Sequence, residues 1–190
     1  FGYSVAYSAD TAVIGAFAAD TTAGSEVGSA YVFVRSGTTW SQQAKLNASD
    51  GAPSDFFGNA VAISGDTAIV GSSGSDPGSL ANAGAAYVFV RADSSWTQQE
   101  KLVAVDRENG DHFGKSVALS ADTAVIGAYT DDIDGGGDRG SAYVFMRDGI
   151  NWSQQAKLTA DDGEAGDNFG VSVAVVGNRA LVGANLDDTP

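Results

Sequence analysis

The residues best suited to chemistry in this chain are carboxylates. The stretch "DDIDGGGDRG" sets Asp131, Asp132, Asp134 and Asp138 around three glycines. A hard cation such as calcium gathers about six to eight oxygen ligands, and a pliable acidic loop can offer several. The stretch lacks the ordered spacing and terminal Glu of an EF-hand. Calcium at these four residues is therefore an expectation from composition. Other acids return every 56 residues: Asp20, Asp76, Asp132 and Asp188; Asp50, Asp106 and Asp162; Asp55, Asp111 and Asp167. Such residues can coordinate a cation, or bond nearby backbone N–H groups in turns. Recurrence in unit after unit favours the turn role.

Other chemistry has little to stand on. Cysteine is absent, which excludes disulfides, thiol nucleophiles and thiolate-bound zinc. His112 is the sole histidine, at a place held by Phe56 and Asn168 in the neighbouring units. No carboxylate pair stands out by spacing or apolar surroundings as an acid–base couple. The expectation is a protein that is not an enzyme, with no catalytic residues and no cofactor beyond the calcium considered above.

The formal net charge of −14 argues against a nucleic-acid partner, which would need clustered Lys and Arg. It suits a cation or a basic partner. No apolar run reaches the ~18 residues of a membrane span. Hydrophobic residues make up 43% of the chain, enough for a real core.

The elements that must position the acids follow from the repeat. The units are 1–56, 57–112 and 113–168, with a partial unit 169–190. A period of this order marks solenoids, propellers or arrays. Each unit opens on Phe-Gly: Phe1, Phe57, Phe113 and Phe169. Tyr31, Phe33, Arg35, Trp40 and Lys45 recur as Tyr87, Phe89, Arg91, Trp96 and Lys101, and again as Tyr143, Phe145, Arg147, Trp152 and Lys157.

Four strands are expected per unit, in the third at 116–120, 123–128, 141–147 and 152–158. Gly65-Asp66 and Gly177-Asn178 are two-residue hairpin signals between strands one and two. Ala-Asp in the other two units suits positive φ less well and leaves the turn type open. Strands one and two carry small apolar residues on both faces, as strands between neighbouring sheets do. Strand four, with Gln154, Gln155 and Lys157, reads as a wet outer edge. The Phe of Phe-Gly is expected to wedge between sheets, and the Gly to let backbones pass closely.

The expected fold is all-β: a β-propeller of four-stranded antiparallel blades, three full blades plus a half blade, part of a ring of six or seven. The exposed ends of such a partial ring imply further blades from a longer chain, or self-association through open ends.

Phe-Gly, Ser-Val-Ala, Val-Ile-Gly-Ala and Gly-Ser-Ala-Tyr-Val-Phe resemble the FG-GAP repeat, which builds the N-terminal seven-bladed propeller of integrin α chains. The Trp-Ser-Gln-Gln-Ala-Lys-Leu strand is similar to the bacterial type. The resemblance implies an extracellular or cell-surface adhesion or binding domain. It also implies a calcium loop between strands one and two, but here that place holds only two residues, Ala9-Asp10, Gly65-Asp66, Ala121-Asp122 and Gly177-Asn178. Two residues cannot supply the oxygens calcium needs, so that site is not carried over. The proline of the family signature is also missing.

In a four-stranded meander the 1–2 and 3–4 turns share one end, and the 2–3 and 4–1 loops share the other. Of 24 acids, the first end holds five: Asp10, Asp66, Asp93, Asp122 and Asp148. Glu100 lies on a strand, and the other 18 fall in the long loops. Loops on a rigid scaffold commonly carry function. The expectation is an extracellular binding or adhesion module presenting an acidic loop face to a protein or carbohydrate ligand. Asp20, Asp76, Asp132, Asp188, Asp55, Asp111 and Asp167 are its candidate residues. The alternatives are a non-catalytic propeller domain of a larger secreted enzyme, or a structural repeat of a surface layer or filament.

Overall fold

The structure is a computed structural model that describes residues 1–132 and 137–187. The first sheet is β1 (Ser4–Ser8), β2 (Thr11–Ala16), β3 (Ser29–Ser36) and β4 (Thr39–Leu46). The second is β5 (Val61–Ser64), β6 (Thr67–Ser72), β7 (Ala85–Ala92) and β8 (Ser95–Leu102). The third is β9 (Ser116–Ser120), β10 (Thr123–Ala128), β11 (Ser141–Asp148) and β12 (Asn151–Leu158). A two-stranded sheet, β13 (Ser172–Val176) and β14 (Arg179–Gly183), follows. Every sheet is an antiparallel meander in chain order. The first strands of adjoining sheets lie close together and the fourth strands barely meet, so the sheets fan outward as propeller blades do.

The core lies between sheets. One cluster joins Val13, Ala30 and Val32 of the first sheet to Phe57, Val70, Tyr87 and Phe89 of the second unit. The next joins Ile69, Ala86 and Val88 to Phe113, Ile126, Tyr143 and Phe145. Phe57 and Phe113 are fully buried. Each ring packs edge-on against a Tyr and a Phe of its own unit, at 5.5 and 5.9 Å for Phe57 and 5.4 and 5.9 Å for Phe113. Burying such a ring is worth roughly 1.5–3 kcal/mol.

Backbone contact accompanies each wedge. The N–H of Phe57 donates to Val27 O at 2.9 Å, that of Phe113 to Ala83 O at 3.0 Å, and that of Phe169 to Arg139 O at 2.9 Å. Gly28 and Gly84, at φ +89° and +84°, face Phe57 and Phe113 so closely that an added Cβ would fall on their carbonyl oxygens. Ser4 and Ser116 add side-chain bonds to the carbonyls of Gly58 and Gly170, at 2.9 and 2.7 Å.

The 1–2 turns are uniform despite their different residues. Ala9, Gly65, Ala121 and Gly177 have φ of 52°, 58°, 50° and 56°. Alanine tolerates this because the turn is held on both sides. Asp10 O accepts the Arg35 N–H at 2.8 Å, and Asp10 Oδ1 accepts the Arg35 guanidinium. The turn N–H of the following sheet reaches back to a serine: Gly65 to Ser8 Oγ at 3.2 Å, Ala121 to Ser64 Oγ at 3.1 Å.

Strand four is the largely exposed outer edge of each four-stranded sheet, as expected, but one of its residues turns toward the next sheet. The pairing of β3 with β4 slips between Val32 and Phe33, leaving Gln43 as an extra residue. The same slip leaves Gln99 extra in β8 and Gln155 extra in β12. A bulge re-aims its side chain. Gln43 Oε1 thus accepts Trp96 Nε1 of the next sheet at 2.8 Å, and Gln99 Oε1 accepts Trp152 Nε1 at 3.2 Å.

Gly84→Ala is expected to lower stability by roughly 2–4 kcal/mol, through positive φ and a clash with backbone. Gly65→Ala, also at positive φ but with open space around it, should cost about 1 kcal/mol or less. Denaturant unfolding of both variants measures the difference; equal losses would contradict the close approach.

Candidate functional site

The 2–3 and 4–1 loops meet at one end of the fan, as the meander requires. The carboxylates there fall into three structural groups.

Asp55, Asp111 and Asp167 turn inward. They are 3%, 2% and 6% exposed. Each accepts the backbone N–H three residues back: Ala52 to Asp55 Oδ2 at 2.8 Å, Glu108 to Asp111 Oδ2 at 2.6 Å, Glu164 to Asp167 Oδ2 at 2.7 Å. They close the 4–1 loop just before Phe-Gly. Burial pushes the Asp111 carboxyl up to about 6, against the pull of the Glu108 N–H, and the charge of Asp131 adds to the rise. Burial also pushes Asp55 up.

Asp50 and Asp106 bridge to the next sheet. Asp50 accepts Tyr87 Oη at 2.9 Å and Lys101 Nζ at 2.7 Å. Asp106 accepts Lys157 Nζ at 2.7 Å. Burial works to raise both carboxyls, but their bonds to the lysines and tyrosines outweigh it and hold them below the usual range. Tyr87 and Tyr143 are pushed up, chiefly by burial, and stay protonated donors.

Asp20 and Asp76 brace the 2–3 loop while their side chains stay exposed. Asp20 Oδ1 accepts the Glu26 N–H at 3.0 Å, and Asp76 Oδ1 the Asn82 N–H at 2.7 Å. Asp132 and Asp138 are exposed and face each other across a bridge. Asp134 and Asp188 lie outside the described residues.

The acidic 2–3 loop of the third unit differs from the expectation at Asp131. That side chain is 4% exposed and points into the sheet junction. It accepts Ser141 Oγ at 2.5 Å, Tyr143 Oη at 2.7 Å and Lys157 Nζ at 2.8 Å. Its counterpart in the second unit is Ser75, whose Oγ lies 3.4 Å from Lys101 Nζ. Asp131 therefore neutralises a lysine rather than joining Asp132 and Asp138. Among the described residues, no group of three or more His, Asp and Glu side chains is arranged to hold a metal ion.

His112 packs its ring against Tyr129 at 5.6 Å, as Phe56 does against Phe17 at 5.9 Å. Its Nδ1 lies 3.0 Å from Thr130 Oγ1. The repeated Arg and Trp are paired within each sheet: Arg91 and Arg147 sit 5.4 Å over Trp96 and Trp152. Sequence reasoning missed the cross-sheet acceptors Thr11, Gln43, Ser8 and their repeats. The available signal was a polar residue recurring at 56-residue intervals on a strand.

Raising the folded pKa of Asp111 above the ordinary value makes its contribution full below about pH 4 and lost as pH rises through about 6. Asp111→Asn keeps an acceptor for the Glu108 N–H and removes the charge. Lys157, Asp131 and Glu108 are the charged groups facing it. Relative to wild type, the variant should gain roughly 1–3 kcal/mol between about pH 5 and pH 8. Urea unfolding at the two pH values measures this; a pH-independent difference would contradict it.

The model of the FG-GAP repeat matches residues 1–33, 40–89, 96–145 and 152–190. Its internal segments begin in the fourth strand of one sheet and end in the third strand of the next, so the family's frame straddles the sheet junction. No curated protein matches the chain. With the family model spanning nearly all of its length and its sheets built as propeller blades, the chain belongs to the FG-GAP repeat family.

Proposed function

We propose that this chain is an extracellular or cell-surface binding module, not an enzyme, whose long-loop end meets a protein or carbohydrate ligand in adhesion. The observation that carries the reading is the division of labour among the acids. Asp50, Asp55, Asp106, Asp111, Asp131 and Asp167 are bonded into turns and junctions. Glu26, Glu108, Asp132, Asp138, Asp161, Asp162 and Glu164 remain exposed at the same end, as do Asp20 and Asp76, which each also accept one loop N–H, and Asp50 and Asp106, which stay part exposed beside their lysines. A rigid stack that holds exposed carboxylates on long loops offers a surface for basic or hydroxyl-rich partners. The opposite end carries short turns, with Asp10, Asp66 and Asp122 paired to Arg35, Arg91 and Arg147.

The test uses an immobilised oligolysine peptide and a panel of neutral oligosaccharides as probes. Charge reversal at Asp132 and Asp138 should weaken retention of the bound probe by about tenfold or more, and added salt should weaken retention of the peptide. Reversal at Asp93 and Asp148, on the other end, should leave binding within about twofold. Greater loss from the second pair would overturn the assignment of the binding end.

A further inference from the structure

The residues that hold the sheets together repeat from unit to unit. Arg91 Nη1 donates to Thr11 Oγ1, and Arg147 Nη1 to Thr67 Oγ1, each at 2.9 Å. Trp96 and Trp152 donate to Gln43 and Gln99. Lys101 and Lys157 donate to Asp50 and Asp106. Against this constancy, two positions differ in each full unit: Phe17, Ser73 and Tyr129, and Phe56, His112 and Asn168. The first follows strand two and the second ends the 4–1 loop, so both lie at the long-loop end beside the inner strands.

The second position carries rings against the preference of its backbone. Phe56, His112 and Asn168 have φ of 58°, 54° and 59°. Asn tolerates this left-handed conformation, whereas a bulky ring is strained in it. Backbone strain of this kind collects at functional sites. The Phe56 ring is nonetheless only half-buried. It lies 5.9 Å from the half-buried Phe17 ring. Its other neighbour is Gly74, where a Cβ would fall 2.8 Å from Phe56 Cδ2. The next unit presents more polar rings. His112 and Tyr129 lie 5.6 Å apart and are also half-buried. His112 Nδ1 is taken up by Gly110 O at 2.6 Å and Thr130 Oγ1 at 3.0 Å, which leaves Nε2 as the ring's remaining hydrogen-bonding atom.

Charge around the rings selects the class of ligand. The carboxylates next to them in the chain, Asp55 and Asp111, are buried and bonded to the Ala52 and Glu108 N–H groups. Lys115 Nζ already sits 5.5 Å over the Tyr129 ring. A cationic ligand would meet Lys115 there and find Asp55 and Asp111 turned away. A neutral sugar meets no such penalty. Its pyranose ring lays C–H groups on an aromatic face and offers hydroxyls to polar side chains. We infer that Phe17, Phe56, His112 and Tyr129 form a subsite for a neutral oligosaccharide, with stacking surfaces on successive units. The inference rests on the reading of the long-loop end as the binding end, and names the ligand class that this part of it takes.

The test titrates the 190-residue chain by calorimetry with cellohexaose, maltohexaose, mannohexaose and N-acetylchitohexaose. At least one should bind with a Kd of about 1 mM or tighter, unchanged by added salt. Phe56→Asn and His112→Asn install the residue that the third unit holds at the same place. Each should weaken sugar binding by about fivefold or more, and each should leave Tm unchanged or raised because the backbone strain is relieved. A Tm lowered by about 5 °C or more in Phe56→Asn would make the ring a packing piece and overturn the inference. Sugar binding that survives both changes, or no binding of any of the four sugars, would overturn it too. If the oligolysine peptide is still retained in that last case, the binding end stands and only the ligand class falls. Sugar binding lost instead on charge reversal at Asp93 and Asp148 would overturn the binding end as well.

Discussion

At each Phe-Gly step between two sheets, two backbones come closer than any side chain allows, and the rest of the structure depends on that approach. Gly28 and Gly84 lie against Phe57 and Phe113, and Gly15, Gly71 and Gly127 lie against the carbonyls of Gly58, Gly114 and Gly170. The approach sets how far apart adjoining sheets stand at their inner edges. Only with that separation fixed can Phe57 and Phe113 fill the space between sheets and make their edge-on contacts. A Cβ at these glycines would drive the inner edges apart and open the cores around both rings. Stability then accrues junction by junction, as in other repeat proteins.

Polar bonds give the stack its order. The hydrophobic wedge would accept any small apolar face, but the Arg–Thr, Trp–Gln and Lys–Asp bonds require a particular neighbour in a particular orientation. Exposed ion pairs contribute little energy singly. Their value here lies in register, because each joins a fixed place on one sheet to a fixed place on the next. The bulge at Gln43 and Gln99 turns an outer-edge side chain across the gap. The loop carboxylates divide along the same lines. Those near the junction are recruited into it, and those farther out are left for solvent and partners. Asp131 shows how a single substitution shifts that boundary. Where the second unit has Ser75, the third unit buries a carboxylate, and Lys157 acquires a second anionic partner.

Most of the architecture was legible in the sequence because the repeat is long, unbroken and tied to strong local signals. Phe-Gly, the apolar pairs of strands one and two, and the Tyr-x-Phe strand gave the four-stranded meander and the wedge. Less legible was anything decided between sheets. Gln154 and Gln155 do lie on an edge strand, but the reach of Gln43 and Gln99 to the next sheet was hidden, because a bulge leaves no mark in an alternation pattern. Asp55, Asp111 and Asp167 were grouped with the loop-face acids, and their burial follows from backbone N–H groups that only the folded loop presents. Asp131 looked like one acid among four, and its direction depends on Lys157 and Tyr143 across the sheet. The conformation of Ala9 and Ala121 was hidden for a similar reason, since neighbouring Arg and Ser residues impose it.

Hydrogen exchange at the junction amides tests the central claim most directly. The N–H groups of Phe57 and Phe113 bond across the gap to Val27 and Ala83 rather than within a strand. If the junction is the unit of stability, these two amides open only with the sheets they join. Their protection should then equal that of the most protected amides in β6 and β10, within about 1 kcal/mol. Exchange of Phe57 and Phe113 at the rate of loop amides, while β6 and β10 stay protected, would show that the sheets hold together without the junction and would contradict the account.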